Sequence, residues 1–235
     1  MVSAMERGYT ISETSENYLK AIYQLGSQDS QGGLVSTSAL ADHFGVAPAS
    51  VTGMLKNLGK EEPALVKYKP RYGVKLTALG KTIALEMLRH HRLIEVYLHE
   101  ELGYTWDEVH AEADRLEHVI SERFENRIAS VLGNPAFDPH GAPIPTRDGK
   151  YSAPIGDCLS NLQIGQSGRV ARVASNDDTA LLRYLADLGI VPNAIVTVTE
   201  RAPFSGPLHV RVGNQKISRA VGERVTNSVY VEIES

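Results

Sequence analysis

The spacing of apolar positions divides the chain into a helical first part and a strand-rich last part. Between Thr10 and Leu25, Tyr18, Leu19, Ile22, Tyr23 and Leu25 recur at helical spacing behind start signals at Ser12 and Thr14, which predicts a first helix. The run Val35 to Gly45 predicts a second, capped by Ser36, turned inward at Leu40 and Phe44, and closed by Gly45. Val46 to Gly59 predicts a third, with Val51, Met54, Leu55 and Leu58 inward. Two short helices across a glycine turn are a helix-turn-helix pattern, although such pairs also occur as plain packing units. Leu65 to Thr77 alternates around Pro70-Arg71-Tyr72-Gly73, a predicted hairpin. A long helix starts near Thr77 and runs beyond His91. Gly103 can stop it, and Thr105 can cap the next helix, with Glu108 completing a capping box. That second helix is expected to continue to Leu132, where Val119, Ile120, Phe124, Ile128, Val131 and Leu132 form an apolar stripe, a core face and also a candidate dimer surface.

From Gly133 to Pro154 the chain turns rich in proline and glycine and has the composition of a linker. Four strands are then predicted from Ser167, Ala194, Pro207 and Ser228, with one helix from Ala180 between the first two. The expected fold is mainly α with a β C-terminal part: a winged helix-turn-helix, a helical metal-binding and dimerisation domain, and a small SH3-like β-barrel. The boundaries expected are residues 1–81, 82–145, a linker over 146–162, and 163–235.

Composition narrows the class. Hydrophobic content of 42% and charged content of 22% suit a globular protein, and no apolar run approaches the roughly 20 residues of a membrane span. The first ten residues lack a signal-peptide core, so a cytoplasmic location is expected. One cysteine, Cys158, allows neither an internal disulfide nor a cysteine-based zinc finger.

The net charge of −4 is distributed unevenly. Ser36 to Lys81 carries seven basic residues against three acids, four of the basic ones on the hairpin. A helix, turn, helix and basic wing can place its second helix in the DNA major groove and meet phosphates with the wing. The candidate DNA contacts are Thr37, Ser38, Ala49, Ser50, Thr52, Lys56, Lys67, Lys69 and Arg71. The small and hydroxylic residues at the start of the second helix make a weak base code, so specificity is expected to lean on DNA shape and on two half-sites.

Glu86 to Asn126 carries eleven acids against four basic residues and holds five of the eight histidines. At helical spacing, His91 and Glu95 form one stripe, and His110, Asp114, Glu117 and His118 another. Imidazole with carboxylate suits a divalent transition metal. An ordinary solvated face can also look acidic. His90 and His99 point away from both stripes and are expected at the surface. The run Asp114 to His118 also carries part of the H-x-x-E-H pattern of a zinc hydrolase, with an aspartate where the first histidine belongs.

The order of helix-turn-helix, wing, H-x-x-x-E at His91 and H-x-x-x-D-x-x-E-H at His110 resembles the diphtheria toxin repressor family of metal-dependent regulators, its manganese-responsive branch above all. The resemblance implies a homodimer that binds palindromic operator DNA and answers to Mn(II) or Fe(II), with other divalent transition metals able to substitute in vitro. It implies two neighbouring metal positions. His91, Glu95 and His110 match one, with Asp177 or Asp178 as candidates for a further ligand from the third domain. Asp114, Glu117 and His118 match the other, to which the first helix adds the position of Asn17. Asp114 stands where iron-responsive members have a cysteine and is a harder ligand, favouring Mn(II). Asn17 and Lys20 stand where the manganese branch has carboxylates, which leaves either the Asn17 amide oxygen or Glu13, one turn earlier, as the first-helix ligand.

Overall fold

The computed structural model describes residues 11–27, 33–152, 156–174, 178–204 and 206–233. Among these, Asp178 can be placed, whereas Asp177 lies outside the described residues. The chain forms two compact units. One comprises the described residues up to His90 with His118–Glu122 and Pro145–Tyr151; the other comprises His91–Glu117, Arg123–Ile144 and Ser152 onward.

The first unit is built as its sequence pattern demands. Helix α1, Glu13–Ser27, starts where Ser12 Oγ accepts from the Ser15 N–H at 3.2 Å. Helix α2, Thr37–Phe44, is capped by Ser36 Oγ, which accepts from the Ala39 N–H at 3.0 Å, and ends at Gly45 with φ 62°. Helix α3, Pro48–Leu58, follows with proline in its first turn, where the missing N–H costs nothing. Strands β1, Val66–Lys69, and β2, Gly73–Leu76, pair antiparallel from Val66–Leu76 to Lys69–Gly73 and form the wing. Leu19, Ile22, Leu40, Val51, Leu55, Leu58 and Met87 share one core.

Helix α4, Ala78–Glu100, is buried on nearly every side from Ile83 to Leu98. Such a helix is a central strut rather than an amphipathic cover. For that reason His90, expected at the surface, is fully buried, whereas His99 beyond the strut is exposed as expected.

The helix after α4 is shorter than its pattern suggests. Thr105 N–H and Oγ1–H both donate to Glu108 Oε2, at 3.1 and 2.6 Å, and α5 then spans only Val109–Leu116. The chain leaves helical geometry around His118 and resumes as α6, Glu122–Val131. The expected continuous helix to Leu132 is therefore two helices, and His118 sits in the break between them. Of the apolar stripe, Ile120 and Ile128 are buried, while Val119, Phe124 and Val131 are exposed.

The linker-like composition is also misleading. Asp138, His140, Ala142 and Ile144 are buried, and the segment is fastened by Val173 N–H donating to His140 O at 2.9 Å. At Gly141, φ is +84°, and a Cβ would come within 2.0 Å of Ala171 O. Only glycine lets this loop lie so close to the sheet.

Among the described residues the C-terminal part contains six strands rather than four. Strands β3, Asp157–Cys158; β4, Ser167–Val173; β5, Ile195–Arg201; β6, Leu208–Val212; β7, Arg219–Val221; and β8, Val229–Ile233, form one antiparallel sheet in the order β3-β8-β4-β5-β6-β7. The register shifts between Val170 and Arg172 and between Val198 and Glu200 bend it, as bulges do. Helix α7, Thr179–Leu188, packs Leu182 and Leu185 into the sheet core, and the single turn α8, Glu223–Thr226, precedes β8. The two short strands escape the pattern because three residues or fewer cannot establish an alternation.

Candidate metal centre

Within the second unit α4 and α5 bring His91, Glu95, His110, Asp114 and Glu117 together. His91 Nε2 lies 3.0 Å from Glu95 Oε1 and 2.9 Å from His110 Nδ1, and His110 Nδ1 lies 2.9 Å from the same Glu95 oxygen. These three atoms form a nearly equilateral triangle. Donors about 2.1 Å from one ion and at right angles to each other lie about 3 Å apart. On its other side the His91 ring meets Glu117 Oε2 at 2.6 Å and Asp114 Oδ1 at 3.3 Å through Nδ1. A proton on Nδ1 is therefore held by Glu117, and Nε2 presents its lone pair to the triangle, the usual carboxylate–imidazole arrangement behind a metal ligand. Glu117 and Glu95 are fully buried, while Asp114 is half exposed.

Burial alone would push the Glu95 carboxyl up, but His91, His110 and His140 around it outweigh that and hold it well below the ordinary carboxylate range. Glu95 Oε2 is buried without a hydrogen-bond partner among the described residues. The loop after α6 completes this side. His140 Nε2–H donates to Trp106 O at 2.7 Å, which fixes its tautomer and leaves Nδ1 as the lone-pair atom. That Nδ1 is likewise buried without a hydrogen-bond partner, 4.0 Å from Glu95 Oε1 and 4.0 Å from Asp138 Oδ1. Four ångströms is too long for a hydrogen bond but fits two donors on opposite sides of one cation. Asp138 is held by His140 N–H and Ala142 N–H at 2.8 and 2.9 Å and lies 3.4 Å from Arg92 Nε. Burial and the neighbouring Glu95 charge raise its pKa despite Arg92. The donor set of imidazole and carboxylate, with orphaned buried lone pairs aimed inward, fits a divalent first-row metal.

In the first unit α1 meets His118. Glu16 Oε2 lies 2.6 Å from His118 Nδ1, and Asn17 Oδ1 lies 3.2 Å from His118 Nε2. With His118 Nδ1–H donating to Glu16, Nε2 turns a lone pair towards the Asn17 oxygen, a pairing that calls for a cation or a second proton between them. Glu13, the alternative first-helix ligand, is exposed in the first turn of α1, whereas Glu16 is buried. Asp178 caps α7, accepting from Leu181 N–H at 3.0 Å, and is paired with Arg224.

Sequence reasoning missed Glu16, Asp138 and His140. Glu16 adjoins Asn17 and lies three residues after Glu13, so helical spacing alone could have raised it. The D-P-H-G run at 138–141 was the only signal for the other two, and the surrounding prolines and glycines masked it.

The DNA candidates lie on α2, α3 and the wing. Ser38, Ala49, Ser50, Lys56, Lys67, Lys69 and Arg71 are exposed, and Thr37 and Thr52 are partly so. Thr52 Oγ1 is spent on Pro48 O at 3.0 Å. Lys56, Lys60 and Lys67 line a groove between α3 and β1. Lys69 Nζ lies 4.0 Å from the Tyr72 ring centre at the wing tip.

A helix-turn-helix with a basic wing, joined through one buried helix to a centre of imidazoles and carboxylates, defines a metal-responsive DNA-binding regulator. Sequence models agree with each part: residues 10–74 match the iron dependent repressor N-terminal DNA binding domain, 77–146 its metal binding and dimerisation domain, and 158–233 the FeoA domain. The iron-dependent repressor IdeR of Mycobacterium leprae is 31% identical, and that of Mycobacterium tuberculosis 32%, each over 94% of this chain and 97% of the relative. Among solved structures, a manganese-dependent transcriptional repressor in complex with manganese is 37% identical with a TM-score of 0.83, covering 94% of this chain and all of that one. The chain belongs to the iron-dependent repressor family, the family of the diphtheria toxin repressor.

Proposed function

We propose that this protein is a metal-activated repressor of metal-uptake genes that binds a palindromic operator as a homodimer, with Mn(II) or Fe(II) as its activating ion. The observation that carries the metal part is the triangle of His91 Nε2, Glu95 Oε1 and His110 Nδ1, with the His91 tautomer fixed from behind by Glu117. His140 and Asp138 extend that centre from the loop after α6, sharing Glu95 with it. For the second position, the family pattern supports Asp114, Glu117 and His118, and the contact of Asn17 with His118 Nε2 supports the first-helix ligand. Asp178 is spent on its cap and on Arg224 and is set aside.

A bound divalent cation supplies charge compensation for the carboxylates and a fixed set of directions for the imidazoles. The chain's own part is to keep Glu95 ionised, to fix the His91 and His140 tautomers, and to hold α1 against His118 through Glu16 and Asn17. Because α1 packs in the same core as α2 and α3, its position acts on the DNA-reading helices. The exposed Val119, Phe124 and Val131 support a dimer surface, and two copies match a two-fold operator. Hydrolysis finds no support, since Asp114 occupies the place of the first zinc histidine and the family consists of regulators.

A DNA-binding titration on a palindromic promoter, with Mn(II), reduced Fe(II), Zn(II) or a chelator at one salt concentration, tests this reading. We expect metal to tighten binding and Asp114→Ala with His118→Ala to abolish that gain while the fold persists. Binding indifferent to chelator would overturn it.

A further inference from the structure

Two adjacent histidines on α4 face different acids. His91 belongs to the centre described above. His90, about 100° further round the helix, faces Glu86 one turn back and Glu122 at the start of α6. Ligand atoms of Glu86, His90 and Glu122 all lie within 4.8 Å of one another, in the first unit and outside both positions that the family pattern assigns.

Three features set this group apart from a solvated acidic face. His90 is fully buried, and its Nε2 lies 3.4 Å from Glu122 Oε1. Ligand oxygens of Glu86 and Glu122 also lie within 4.8 Å of each other. Two carboxylates this close repel unless a proton or a cation offsets their charges. Finally, the Glu122 side chain keeps 14% exposure, which gives a solvated ion a way in.

We propose that Glu86, His90 and Glu122 form a third cation site, for a divalent first-row metal of the Zn(II) or Mn(II) class. One imidazole nitrogen and two carboxylates are a donor set those ions accept, and three protein ligands leave room for water. The site fastens the first turn of α6 to α4. The short segment His118–Glu122 is then gripped at both ends, by Glu16 and Asn17 at His118 and by Glu86 and His90 at Glu122. Occupancy steadies the backbone that carries His118 without touching its ligand atoms. Arg147 adds a nearby positive charge that favours ionised Glu122 and tempers the affinity for a cation.

The test uses the full chain with Zn(II) alone, metal content being measured after equilibrium dialysis. Glu122→Gln and, on the other helix, Glu86→Gln each keep side-chain shape and remove a ligand charge. We expect each to bind one zinc fewer per chain than the wild type, with unchanged circular dichroism. Equal stoichiometry in wild type and both variants overturns the proposal and leaves a proton shared by the two carboxylates. Should the variants lose their fold, anomalous diffraction from zinc-grown wild-type crystals decides: a peak among the three side chains is expected, and its absence overturns the site.

Discussion

A metal-ligating histidine almost always gives its other ring nitrogen a partner, and three histidines here have one. Glu117 holds His91 Nδ1, the Trp106 carbonyl holds His140 Nε2, and Glu16 holds His118 Nδ1. Outer partners of this kind are typically worth about 10- to 100-fold in metal affinity. We therefore expect Glu16→Gln to weaken Mn(II) binding by about one to two orders of magnitude in competition with a chromophoric chelator, while Glu13→Gln on the exposed turn leaves it unchanged. An unaltered affinity for Glu16→Gln would remove Glu16 from the centre. The proposed ligands His91, Glu95, His110 and Asp114 were legible in the sequence because all lie on helices, where spacing alone decides which side chains share a face. Their partners were less so. Trp106 acts through its carbonyl, which every residue carries, and Glu16 is one of several polar residues in the first turns of α1.

At the scale of elements, helices and the wing could be read because caps and periodicity agree. Ser36, Gly45 and Pro48 each stand where a start, a stop or a first turn needs them. Legibility failed where packing rather than pattern decides. The burial of α4 on nearly every side drew in His90, and the loop at 138–144 is ordered by contacts with β4 that lie far off in sequence. The turn into α5 is anchored in the same long-range way, since Arg183 Nε on α7 donates to Asp107 Oδ2 at 2.6 Å. Burial would raise the Asp107 pKa, but hydrogen bonding, with Arg183 as a donor, outweighs it and holds the group below its ordinary value. A carboxyl whose folded pKa is depressed stabilises the fold above its unfolded value, about 3.9 for aspartate, and loses that contribution as pH falls through the folded value. Asp107→Asn should lower the unfolding free energy measured with urea at pH 7, by about 1 kcal/mol or less given that Arg183 is largely exposed. The gap should close in strongly acid solution. A gap of the same size at pH 7 and at pH 3 would mean that the charge contributes nothing.

For the whole molecule, the opposed charges of its parts acquire a purpose. The stretch from Ser36 to Lys81 is basic and the stretch from Glu86 to Asn126 is acidic, so phosphate and metal cation are sorted to different places along one chain. No helix among the described residues is long and apolar enough to cross a membrane. If metal strengthens DNA binding, thermodynamic linkage requires DNA to strengthen metal binding by the same factor, typically about 5- to 150-fold. The apparent Mn(II) affinity should therefore rise on adding operator duplex, and the ratio should equal the gain that Mn(II) gives to operator binding at the same salt concentration. Charge attraction between the wing and any duplex persists without metal, so a non-operator duplex of equal length is the control and should raise Mn(II) affinity less. Acid should reduce the metal term first, because imidazole ligands must be neutral to coordinate, while arginine and lysine contacts to phosphate keep their charge. A Mn(II) affinity indifferent to operator would separate the two halves of the molecule and leave the metal centre a brace for the fold rather than a sensor.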